Sequence, residues 1–140
     1  MTEPHVWDTL APEGAHIWNT LGYRFGDDPP EGTIAIEWDA PDEYSFPDGT
    51  RRIVHGGMVA TLLDTAMGHV CLADLEPGQV FLTADLHVEF YRVVSPGFVR
   101  AEGEILHRSR RVMFCGASLY DSERQRLAWA RCTQIVRSLA

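Results

Sequence analysis

An α+β fold, with an antiparallel sheet wrapped around one long helix, is predicted by three observations. First, Met58, Val59, Leu62, Leu63, Ala66, Met67 and Val70 form an apolar stripe at the i, i+3, i+4, i+7 spacing of a helix. Second, the other face of that helix is not charged. From Gly56 to Ala73 the sole acidic residue is Asp64, and there is no Lys or Arg. Third, the period changes downstream. Stretches after residue 81 alternate apolar and polar side chains between turn-forming clusters, the pattern of half-buried antiparallel strands. One helix followed by such strands can bury its stripe only against the sheet they form.

Each element follows in chain order. Residues 7–22, with Trp7, Leu10, Ile17, Trp18 and Leu21, read as one or two short helical pieces broken at Pro12-Glu13-Gly14. Tyr23 and Phe25 lead into a strand, and Asp27 to Gly32 is a turn by composition. Thr33 to Trp38 is β-branched and alternating, a clear strand. Asp39 to Thr50 holds two prolines and Asp48-Gly49 and is expected to be a long loop. Arg51 to Val54 leads to the helix, which starts sharply at Gly56-Gly57 and ends near Asp74, before Glu76-Pro77-Gly78. Four strands follow: Leu82 to Tyr91, Phe98 to His107, Val112 to Tyr120 and Leu127 to Val136. They are expected to be joined by hairpins, and the first to turn residues 82, 84, 86, 88 and 90 to the core. The chain reads as a single domain over 1–140, with residues 1–32 an extension and 33–136 the core.

Composition narrows the functions. A net charge of −8 argues against nucleic acid and anionic membrane surfaces as partners. All twelve basic residues are Arg. Schiff-base chemistry on lysine is excluded, and an anion site must use Arg forks or backbone N–H groups. Cys71, Cys115 and Cys132 are widely spaced, with no CxxC or zinc pattern. They are expected to be reduced, buried thiols of a cytoplasmic protein with no metal. The first residues lack the features of a signal peptide, and no apolar run suggests a membrane span.

The helix carries the chemistry. A lone buried carboxylate costs several kcal/mol unless it is paired or its pKa shifts, so Asp64 is a candidate base or nucleophile. Bonding to Thr61 or Thr83 alone is the structural alternative. His55-Gly56-Gly57 opens the helix with orphan N–H donors suited to an oxyanion or phosphate; a plain Gly-rich helix start is the alternative. An oxyanion site and a carboxylate are the two parts that acyl-transfer hydrolysis needs. His55 is expected to orient the loop by hydrogen bonds rather than act as base. Arg108, Arg110 and Arg111 form a cluster that reads as an anion site or a solvated turn. His69 and His87 read as packed or surface side chains. The small residues Ala60, Gly68 and Cys71 on the remaining helix face are expected to meet a second copy of the chain.

These residues carry a resemblance. His55-Gly56-Gly57, with Asp64 nine residues after the His in Leu63-Asp64-Thr65-Ala66-Met67-Gly68, resembles the hotdog-fold acyl-CoA thioesterases of the phenylacetate-pathway type. Phe81 to Arg92 is similar to that family's long second strand, and Arg110-Arg111 and Arg126-Leu127-Ala128 fall at its hairpin turns. The resemblance implies a hotdog fold and hydrolysis of an acyl- or aryl-acyl-coenzyme A to carboxylate and free coenzyme A. The coenzyme is then part of the substrate, and no separate cofactor is implied. It also implies homodimers that pair into homotetramers, with active sites at the subunit interface. Gly57 N–H would polarise the thioester carbonyl. Asp64 would attack it or activate water from across the interface, and Thr83 would support the attack. Arg108, Arg110 and Arg111 would hold the coenzyme phosphates. Two features depart from the family: residues 47–52 contain no Asn or Gln, and Ser109 replaces the usual Gly before Arg110. A non-catalytic acyl-CoA-binding hotdog protein would not need Asp64. A hotdog hydratase or dehydratase would need a His followed by Pro-Gly, which the chain lacks.

Overall fold

The computed structural model describes residues 17–139. The helical pieces expected before residue 17 lie outside the described residues. Helix α1 spans Ile17–Leu21, then β1 Arg24–Phe25 and β2 Thr33–Ala40. A 3-10 turn at Asp42–Tyr44 precedes β3, Ser45–Asp48, and β4, Arg51–Val54. Helix α2 runs Gly56–Asp74, followed by β5 Gln79–Phe90, β6 Gly97–Arg108, β7 Val112–Tyr120 and β8 Arg126–Ser138. Six strands form one antiparallel sheet in the order β1-β2-β6-β7-β8-β5, and β3 and β4 form a separate hairpin. Helix α2 packs against β2, β5, β6, β7 and β8. This is the expected hotdog arrangement.

Alternation along the strands explains the packing. On β8 the residues Ala128, Ala130, Cys132, Gln134 and Val136 are buried while Arg131, Ile135 and Arg137 are exposed. From α2, Val59, Leu62, Leu63, Ala66, Met67 and Val70 complete the core. Gly103 on β6 lets the helix come close: a Cβ there would lie 2.6 Å from the Ala66 carbonyl oxygen. On the opposite face, Arg100 bridges Glu37 and Glu102 at 2.9 Å each, and Arg124 holds Glu102 at 2.8 Å. These pairs tie β2, β6 and the β7–β8 turn together.

The structure differs from the sequence reading in five places. Residues 39–50 are not a plain loop: the β3–β4 hairpin turns at Gly49, whose φ of +64° suits glycine. Strand β5 does not hairpin with β6 but pairs with β8 at the sheet edge. Residues 91–96 carry the chain across, with Tyr91 and Arg92 N–H groups both donating to the Leu127 carbonyl and Val54 N–H to that of Val94. A turn signal marks where a chain reverses, not which strand it joins. The third difference is a bulge between Thr83 and Asp85, which switches the inward face of β5. Before it Phe81 and Thr83 face α2, and Leu82 is 70% exposed; after it Val88 packs on the core and Phe90 reaches Gly56. Fourth, the small-residue face of α2 is largely covered by its own chain: Cys71 is fully buried and Gly68 lies under the Phe81 ring. Fifth, α2 is long and apolar enough by composition to cross a membrane, although its stripe is spent on the sheet.

Candidate active site

The site is built from the first half of α2 and the strands beside it. His55 is the N-cap of the helix, a position usually held by Ser, Thr, Asp or Asn. Its Nδ1 accepts the Gly57 N–H at 2.9 Å, and its carbonyl accepts the N–H groups of Met58 and Val59. The expected orienting role of His55 thus has a geometry, and in it the Gly57 donor is already engaged. Gly57 is exposed, so a carbonyl can approach and share or displace that bond. Gly56 lines an apolar cavity of about 340 Å³ with Phe46, Ile53, Val59 and Phe90.

Two turns further, Asp64 is half-buried. Its Oδ1 lies 3.4 Å from the Thr83 hydroxyl, which donates to Gln134 Oε1 at the shorter distance of 2.9 Å. Thr61 is turned away, its hydroxyl bonded to the Gly57 carbonyl at 2.8 Å. Burial pushes the Asp64 pKa up, and the contact with Thr83 opposes the shift. A carboxylate of raised pKa is a stronger proton acceptor near neutral pH than an ordinary Asp. Gly57 and Asp64 share a helix face, because seven residues make nearly two full turns. They are separated by about 10 Å of helix rise.

The arginines divide. Arg110 and Arg111, at the β6–β7 turn, line a cleft of about 440 Å³ with Gln79 and Arg137. Arg111 is tied to β8 by its carbonyl, which accepts the Val136 N–H at 2.7 Å. Arg108 does not join them; it pairs with Asp74 at the end of α2, 2.9 Å away. His69 packs against the rings of Trp18 and Phe25 with Nδ1 on the Thr65 carbonyl, and His87 pairs with Glu89 on the exposed side of β5. Among the described residues no cluster of His, Cys, Asp or Glu could hold a metal ion.

Sequence reasoning missed Gln134 and Arg137. Gln134 carried a signal: it is the one polar residue among the inward positions of β8. Arg137 is brought beside Arg110 and Arg111 by the pairing of β7 with β8, in which Val112 lies opposite Ile135; its signal was the register of that hairpin.

A helix wrapped in an antiparallel sheet, with a capped Gly pair and a half-buried carboxylate, defines a domain of the hotdog class. A family model for the Thioesterase superfamily matches residues 52–128, more than half of the chain, and the chain belongs to that superfamily. No curated protein matches it. Solved structures do. A thioesterase from Haemophilus influenzae is 20% identical with a TM-score of 0.82, covering 99% of this chain and 94% of that one. A phenylacetic acid degradation-related protein from Ralstonia eutropha is 25% identical with a TM-score of 0.79, over 94% and 99%. A Bacillus halodurans protein solved with CoA is 20% identical with a TM-score of 0.75, over 93% and 81%.

Proposed function

We propose that the protein is an acyl-CoA thioesterase that hydrolyses an acyl- or aryl-acyl-coenzyme A. The observation that carries this reading is Asp64, a half-buried carboxylate with a raised pKa, on the helix whose first turn exposes Gly57. Gly57 N–H would polarise the thioester carbonyl, with the positive end of α2 favouring the developing oxyanion. Asp64 would take a proton from water as its oxygen attacks the carbonyl carbon, or would attack directly and form an anhydride that water then opens. In either case the C–S bond breaks, the sulfur leaves as the coenzyme thiol after protonation, and the carboxylate is released.

The 10 Å rise between the two groups supports a site shared by two copies. Strand β5 is a 12-residue edge strand on which Leu86, Phe90 and neighbouring Tyr91 are exposed. Long exposed edges of this kind are rarely left open. A second copy adding its β5 about a two-fold axis would bring the Gly57 of one subunit toward the Asp64 of the other. Arg110 and Arg111, with Arg137, would take the coenzyme phosphates through guanidinium forks; that the Bacillus halodurans protein was solved with CoA supports a coenzyme A ligand. The cavity beside Gly56 suits an acyl or aryl group because Phe46 and Phe90 line it.

The test is hydrolysis of a panel of aromatic, short, medium and long acyl-CoAs by wild type and Asp64→Asn. Wild type should turn over at least one class, and the variant should lose about a hundredfold or more with its fold intact. Turnover of the variant at the wild-type rate would overturn the assignment.

A further inference from the structure

We propose that Gln134 is a positioning residue of this site, one that holds the Thr83 hydroxyl proton and so keeps Thr83 from donating strongly to Asp64. The proposal rests on the reading of Asp64 as the reactive carboxylate. Gln134 is fully buried at an inward position of β8, directly opposite Thr83 in the β5–β8 register. Its inward neighbours on that strand are Ala130, Cys132 and Val136. An apolar side chain would fit this row without desolvating an amide, so the amide's partners are what make it tolerable.

Those partners are specific. Gln134 Oε1 accepts the Thr83 hydroxyl at 2.9 Å, and its Nε2 donates to Cys132 Sγ at 3.2 Å. The Cys132 thiol in turn meets Cys115, its cross-strand partner on β7. The sulfur thus fixes which end of the amide faces Thr83. A hydroxyl has one proton to give. Thr83 gives it to Gln134 at 2.9 Å, and its contact with Asp64 is stretched to 3.4 Å. Toward Asp64 the hydroxyl therefore presents mainly lone pairs. These can accept a proton-bearing partner: water on its way to attack, or Asp64 itself once it has taken the proton. The bulge after Thr83 aims the side chain into this gap between β8 and α2. From the packed strands, the groups that face Asp64 are thus Thr83 of β5, and Cys132 of β8, whose thiol feels the carboxylate's charge.

The test is a double-mutant cycle of Gln134→Met and Thr83→Val. It is read by turnover and by the carbon-13 NMR titration of the Asp64 carboxyl, which needs no activity. In Gln134→Met the freed Thr83 proton turns to Asp64. The carboxyl should titrate at lower pH, and kcat should fall about tenfold, the scale of one hydrogen bond, with KM little changed. In the Thr83→Val background, Gln134→Met should move neither quantity. A softer variant, Cys132→Ala, removes the sulfur that orients the amide and should shift the titration in the same direction by less. An unshifted Asp64 titration in Gln134→Met overturns the proposal, as does a shift that persists without the Thr83 hydroxyl. If Gln134→Met does not fold, an unshifted titration in Cys132→Ala overturns it. Failure of the wild type to hydrolyse any acyl-CoA removes the thioesterase reading but leaves the titration cycle as a test of Gln134.

Discussion

Asp64 makes the fold work against itself at neutral pH. Burial raises its pKa above the unfolded value, so the native state holds the proton more tightly than the unfolded chain does. Stability from this group is full below the ordinary carboxylate range, about pH 4, and is lost as pH rises through the native pKa. Asparagine has no proton to lose. Thermal melts of wild type and Asp64→Asn should therefore diverge as pH rises from about 4 to about 8, with the variant gaining relative stability. A difference that stays constant across that range would mean the carboxylate is not held at a raised pKa. This is a stability–function conflict of the kind expected at a reactive group.

At the scale of elements, two local details hold the site in register. The first is the bulge in β5. The extra residue, Ala84, lets Thr83 lie opposite inward Gln134 while Asp85 lies opposite outward Thr133. Deleting Ala84 would remove the bulge and restore regular alternation with Phe81 and Thr83 still facing α2. Turnover of the deletion variant should therefore stay well above that of Asp64→Asn, and its melting temperature should change little because Phe81 keeps its contact over Gly68. Turnover as low as that of Asp64→Asn would show that the bend at the bulge, and not the inward face alone, places Thr83. The second is Gly103. An added methyl would meet backbone rather than a yielding side chain, 2.6 Å from the Ala66 oxygen. Gly103→Ala should cost about 1–3 kcal/mol in urea unfolding, the range for overpacking a core. An unchanged unfolding midpoint would show that α2 can ride away from β6.

For the whole molecule, the shared site proposed above would make assembly and activity one property. Leu86 lies on the inward side of β5 beyond the bulge yet is 40% exposed, where a partner copy would cover it. Leu86→Asp should place a charge in that seam. In sedimentation the wild type should run at twice the 15.7 kDa chain mass or a multiple of that, and the variant at the chain mass, folded but inactive. A wild-type monomer with full activity would rule out the two-subunit site.

The legible part of this protein was local. Helical spacing disclosed α2 almost to the residue, because 3.6-residue periodicity is written along the chain. Strands β2 and β5 to β8 came through for the same reason, with Val112–Tyr120 placed at both ends; β3 did not, since Pro47 and Asp48-Gly49 read as loop. Asp64 and the His55-Gly56-Gly57 start stood out because charge and glycine are rare in a buried helix. What stayed hidden joins distant segments. The edge position of β5, the face switch at Thr83 and the bond from Thr83 to Gln134, 51 residues away, depend on which strands pair. Alternation says that a strand has two faces; only its neighbour in the sheet sets which face looks inward, and that neighbour is chosen by packing across the whole chain.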